Sequence, residues 1–139
     1  MNALLRVVAA VLHDAAGRVL VNERPAGKTW AGHWEFPGGK LDPGESEPDC
    51  VTRELREELG ITVQAQHGLM ALAHDYPERR VLLGVHVVDR FSGAPRGIEG
   101  QQLRWVAPAE LAALPLLPAD GPIVAILGRA LPPPAVQVT

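Results

Sequence analysis

Apolar residues fall in short clusters along this chain, and their spacing changes from one segment to the next. Residues 4–12 (LLRVVAAVL) and 18–22 (RVLVN) are brief Val- and Leu-rich runs separated by the turn sequence HDAAG, so the pair predicts a β-hairpin. Residues 24–34 (RPAGKTWAGHW) lose the pattern and read as a loop; EFPGGK follows as a short extended piece ending in glycines. From Glu47 to Leu59 the period becomes helical. Val51, Leu55 and Leu59 form an apolar stripe at i, i+4 and i+8, Ser46 is a fitting N-cap, and Gly60 is a natural stop. Strands are predicted at 61–74, 79–89 and 103–107, with YPE turning the chain between the first two. PAELAAL (108–114) predicts a short helix and Asp120 to Leu131 a final one, with Pro122 in its first turn. The Pro-rich end, LPPPAVQVT, predicts a frayed tail. This order predicts an α/β fold, a sandwich with one mixed β-sheet between helices, in a single domain over 1–131 and a tail over 132–139.

Composition narrows the function. The 139 residues are 47% hydrophobic and 21% charged, the balance of one globular domain with a core. A net charge of −3 offers no basic surplus for a nucleic-acid polymer. No apolar run reaches a membrane-spanning length, and the N-terminus reads as a strand rather than a signal peptide. The single cysteine, Cys50, falls on the apolar side of the helix pattern and cannot form an internal disulfide, which suits a cytoplasmic protein. The five histidines show no metal-ligand spacing, so zinc is not indicated.

The helix raises a physical question. Glu54, Glu57 and Glu58 share one face and repel one another. A bare acidic face is ordinarily just solvated surface. Here Gly38 and Gly39 precede it, where backbone can approach an ion closely, and a fourth acid, Glu45, lies between. Such oxygen clusters select Mg²⁺, with Mn²⁺ as a substitute, and a divalent cation converts the repulsion into binding. The spacing runs Gly39, five residues, Glu45, seven residues, Arg53-Glu54-Leu55, one residue, Glu57-Glu58, one residue, Gly60-Ile61.

With every one of those positions filled, the chain resembles the Nudix hydrolase family. EFPGGK, YPERR, the GIEGQ segment at 97–101 and LPLLPADGPI extend the likeness to the MutT branch over roughly 3–130. The resemblance implies a Nudix-type α/β/α sandwich and a Mg²⁺-dependent hydrolase that cuts a nucleoside triphosphate into the monophosphate and pyrophosphate. It implies metal ligation by Glu54, Glu57, Glu58, the Gly38 carbonyl and Glu99, with the general base either Glu54 or Glu99. Glu45 would support the site from behind, and Arg53 would orient the glutamates rather than touch substrate. Arg24 and Lys40 stand where phosphates would be contacted, Arg79 is a further substrate-binding candidate, and Phe36 stands where an aromatic would flank the nucleotide or fill the core. His33 and Trp34 are expected to pack the loop.

The branch places an Asn before the last helix where this chain has Asp120. An Asn amide answers both the N7–H donor and the O6 acceptor of 8-oxoguanine. An ionised Asp takes the N7–H alone; a protonated one matches both, and needs a dry pocket that raises its pKa. An ionised Asp also suits the exocyclic amine of cytosine. Similarity to the branch as a whole implies sanitation of oxidised nucleotides such as 8-oxo-dGTP, which limits replication errors, as the first expectation, although Asp120 departs from its pattern. Hydrolysis of CTP, 5-methyl-dCTP or nucleoside triphosphates in general is the second. A simple helix cap at Asp120 is the bland alternative. A nucleotide-sensing Nudix domain without catalysis is a third reading, disfavoured because no glutamate of that spaced set is missing. A monomer or a homodimer fits equally.

Overall fold

The computed structural model describes residues 3–138. Eight strands and three helices occur among them, with a 3₁₀ turn at Pro118–Asp120. A mixed sheet carries β4 (Gly38–Lys40), β1 (Ala3–Val11), β6 (Arg79–Ser92) and β5 (Thr62–Tyr76) in that order, and β8 (Val136–Val138) also pairs with β6. β1 runs parallel to β6, whereas β4 and β5 are antiparallel to their neighbours. A second, antiparallel sheet holds β3 (Trp34–Glu35), β2 (Val19–Glu23) and β7 (Leu103–Val106).

Alternation along β1 builds two cores. Val8, Ala10 and Leu12 belong to one face, with Cys50, Val51, Leu55 and Leu59 of α1 (Glu47–Leu59). Ala9 and Val11 belong to the other, with Leu83, Val85 and Val87 of β6, Leu111 of α2 (Pro108–Leu111), and Ile123 and Leu127 of α3 (Gly121–Leu127). α1 thus covers one face of the mixed sheet. α2, α3 and the small sheet cover the other.

The α/β sandwich agrees with the sequence pattern, but it uses two sheets where the pattern suggested one. The predicted β1–β2 hairpin is the main correction. Asp14 does close a turn, and His13 bridges Val19, yet β1 and β2 then enter different sheets. The reason is burial: Val19, Leu20 and Val21 are all fully buried, so β2 needs partners on both faces rather than a place at an open hairpin edge. The tail also differs from expectation. Val136–Val138 pairs in parallel with Arg90–Ser92, and the His13 ring bonds the Pro132 carbonyl. The last helix stops at Leu127, short of the expected Leu131, and the short helix ends at Leu111. No helix among the described residues is long and apolar enough to cross a membrane.

α1 matches its sequence signals closely. The Ser46 hydroxyl accepts from the Asp49 amide at 3.2 Å, and Gly60 closes the helix in the left-handed region at φ 69°. Cys50 is buried, and desolvation pushes its thiol up to about 12, so it is an inert packing residue.

Candidate active site

The glycine loop and α1 meet with no room to spare. A Cβ on Gly39 would lie 2.4 Å from the Glu54 carboxyl carbon, and one on Gly38 would lie 2.0 Å from the Val8 carbonyl oxygen. Neither position accommodates a side chain without a shift of its surroundings. The Gly38 amide donates to Glu58 Oε2 at 3.4 Å.

Arg53 organises the acids behind this contact. Its Nε donates to Glu45 Oε2 at 2.8 Å and its Nη2 to Glu45 Oε1 at 2.9 Å, a bidentate pair. Nη1 reaches Glu54 at 2.9 Å and Glu57 at 3.2 Å, while Nη2 also holds the Lys40 carbonyl at 3.0 Å. One guanidinium thus ties helix, loop and Glu45 together. The pairing holds the Glu45 carboxyl down to about 2.

Glu54 and Glu58 shift in the opposite direction to Glu45. Burial raises the pKa of both, and for Glu58 the neighbouring Glu54 charge adds to the rise. Arg53 bonds Glu54 but makes no bond to Glu58. Two neighbouring, partly desolvated carboxylates, of which only Glu54 is paired with a guanidinium, are a hard-oxygen donor set that suits a divalent cation. Glu57 is turned toward Arg53 and its side chain is largely exposed. Among the described residues, no three His, Cys, Asp or Glu side chains are gathered closely enough to hold a metal by themselves.

A cleft of about 920 Å³ opens beside this pair. Arg24, Phe36, Gly38, Lys40, Glu54, Glu58, Arg79, Glu99 and Asp120 all line it, so residues scattered along the sequence come together. Glu45, Arg53 and Glu57 stand outside the lining. A smaller hollow of about 330 Å³ beside Arg6 and Glu47 contains none of these residues. Glu99 is exposed, on the loop before β7. The Arg24 side chain is already engaged, with Glu35 at 3.1 Å and the Thr29 carbonyl at 2.7 Å. Phe36 is both core and wall: its side chain is buried and its amide donates to Asp120 Oδ2 at 3.4 Å.

Asp120 does not cap α3. It sits in the 3₁₀ turn with helical backbone angles and makes no side-chain cap bond. The residue is buried, only 5% exposed. Burial, reinforced by the Glu35 charge, pushes its carboxyl up to about 7.

The structure also brings in residues that the sequence pattern did not single out. Glu35 is largely buried against Arg24, and burial raises its pKa. Asn22 is buried beside it with an unbonded Oδ1. The Tyr76 hydroxyl accepts from the Ala119 amide at 3.1 Å, which ties β5 to the Asp120 turn. The polar Asn22 within the apolar run VLVNE was the one available signal; Tyr76 looked like a turn residue. His33 and Trp34 pack as expected, Trp34 being buried beneath Arg104.

The NUDIX domain model matches residues 7–125. An 8-oxo-dGTP diphosphatase of Escherichia coli is 34% identical over 125 residues, covering 90% of this chain and 97% of the relative. A CTP pyrophosphohydrolase of the same organism is 38% identical over 121 residues, covering 87% and 89%. A solved MutT NUDIX hydrolase from Burkholderia pseudomallei superposes with a TM-score of 0.81 at 29% identity, covering 89% of this chain and 98% of that one. Members of the family generally need a divalent metal. With the glycine loop, the glutamate helix and the cleft arranged as described, this chain belongs to the Nudix hydrolase family.

Proposed function

We propose that this protein is a Mg²⁺-dependent nucleoside triphosphate pyrophosphohydrolase that prefers oxidised guanine nucleotides such as 8-oxo-dGTP and releases the monophosphate and pyrophosphate. The observation that carries the preference is the buried Asp120 carboxyl, whose pKa of about 7 leaves much of it protonated at neutral pH. A neutral acid donates to O6 and accepts from N7–H, the pairing that 8-oxoguanine presents and guanine does not.

Glu54 and Glu58 would hold the cation, with Glu57, Glu99 and the Gly38 carbonyl as the further ligands. A bound Mg²⁺ supplies charge neutralisation on the polyphosphate and a more acidic water. Arg79 and Lys40 line the cleft as cations for the phosphate chain. Arg24 braces Glu35 and the 25–32 loop, so its contribution to substrate is indirect. Glu54 takes the proton from the attacking water. It is the better base of the two candidates because it is partly desolvated and fixed by Arg53, whereas Glu99 is exposed. Arg53 and Glu45 keep that carboxylate aimed.

The CTP reading has its own support: of the two Escherichia coli relatives, the CTP pyrophosphohydrolase is the more identical, and an ionised Asp120 would accept from the cytosine amine. Product analysis tests the reaction. With Mg²⁺, 8-oxo-dGTP should yield 8-oxo-dGMP and pyrophosphate, and Glu54→Gln should bind nucleotide but lose most turnover. A diphosphate and inorganic phosphate as products would refute the assignment.

A further inference from the structure

Trp30 is an unusual loop residue. It is the one non-glycine residue with positive φ among those described, at 62°, and it remains 40% exposed. Gly27 and Gly32 on either side take the same backbone region, where a glycine carries no steric cost. A bulky aromatic there is held against its own preference.

The loop is built to hold it. Arg24 Nε donates to the Thr29 carbonyl at 2.7 Å, the Arg24 amide to the His33 carbonyl at 2.8 Å, and the His33 amide to the Trp30 carbonyl at 3.0 Å. The indole and the Tyr76 ring pack edge to face, with centroids 5.9 Å apart at 61°, and the His33 ring lies at 5.1 Å and 83°. Tyr76 in turn bonds the Ala119 amide, next to Asp120. Trp30, Tyr76, Phe36 and Asp120 all line the one cleft. An aromatic wall therefore shares the cleft with the group that reads the base edge, and the exposed part of the indole is available to a flat ligand.

We propose that Trp30 is a substrate-binding residue that stacks on the nucleobase while Asp120 reads its edge. The inference rests on the cleft being a nucleotide site. The favoured ligand is a purine, whose two rings offer more surface for stacking than a pyrimidine.

Calorimetric titration of the full chain with 8-oxo-dGMP and with deoxyribose 5-phosphate, a probe without a base, tests it. Trp30→Ala should weaken 8-oxo-dGMP binding by roughly tenfold or more, the scale of one base–aromatic stack. Trp30→Phe should restore most of that affinity. Deoxyribose 5-phosphate should bind all three proteins alike. Equal affinity of wild type and Trp30→Ala for 8-oxo-dGMP would overturn the proposal, and so would equal losses for both probes, which would make Trp30 a loop brace. Either outcome leaves the substrate reading intact so long as wild type hydrolyses nucleoside triphosphates. A wild type that neither binds 8-oxo-dGMP nor hydrolyses any nucleoside triphosphate would remove both.

Discussion

Replacing Asp120 with Asn separates an acid that reads the base from one that does not. The residue is 5% exposed and its carboxyl is pushed up to about 7. A group with that pKa is neutral to ionised by roughly ten to one at pH 6 and one to a hundred at pH 9. If only the neutral acid pairs with both O6 and N7–H, activity on 8-oxo-dGTP must follow the neutral fraction. The quantity to measure is kcat/KM of wild type divided by that of Asp120→Asn at each pH, because dividing removes the titration of water, cation and substrate. That quotient should fall roughly a hundredfold from pH 6 to pH 9. A flat quotient would refute the reasoning. Stability follows the same group. Its folded pKa lies above the ordinary 3.8, so the unfolded chain gives up the proton first. Folding stability therefore falls as pH rises from about 4 to about 7, by on the order of 4 kcal/mol, and stays low above that. Asp120→Asn should flatten this slope in thermal melts between pH 5 and 8.

Other perturbations reach the rest of the site. Arg53→Lys cannot keep the paired bonds to Glu45 while holding Glu54 and the Lys40 carbonyl, so kcat should fall roughly tenfold to a hundredfold with little change in melting temperature. An unchanged kcat would show that the glutamates aim themselves. Gly39→Ala drives a methyl into the Glu54 carboxylate and should abolish most turnover while circular dichroism stays native. Deleting residues 132–139 removes β8 and the partner of His13, and should lower the melting temperature by several degrees without changing substrate preference. A melting temperature equal to wild type would mean the tail adds nothing to the fold.

How much of this was legible before the fold depended on how local the signal was. α1 announced itself through Ser46, the Val51–Leu55–Leu59 stripe and Gly60, all within one segment, and the structure follows them. The spacing of the acids and Arg53 is local too, and the structure gathers Glu45, Glu54 and Glu57 around that guanidinium. The sheets were harder. Whether β1 and β2 pair is decided by what covers Val19 and Val21, and those partners lie far along the chain in β7 and α2. The same holds for the tail, where the alternation at Val136 and Val138 is too short to read without β6 beside it. Asp120 shows the limit at the site. Sequence named the residue and the condition it had to meet, a dry pocket, but the burial comes from the 3₁₀ turn folding against Phe36, and the Glu35 charge that adds to the rise is brought in by the fold as well. Trp30 gave no periodic signal, because its role depends on a backbone angle and on Tyr76.

The most direct test is a steady-state comparison of 8-oxo-dGTP, dGTP, CTP and 5-methyl-dCTP with Mg²⁺ at pH 7. The buried Asp120, neutral in about half the molecules at that pH, predicts the highest kcat/KM for 8-oxo-dGTP, with 8-oxo-dGMP and pyrophosphate as products. A higher kcat/KM for CTP would contradict it and would place an ionised Asp120 against a cytosine amine instead.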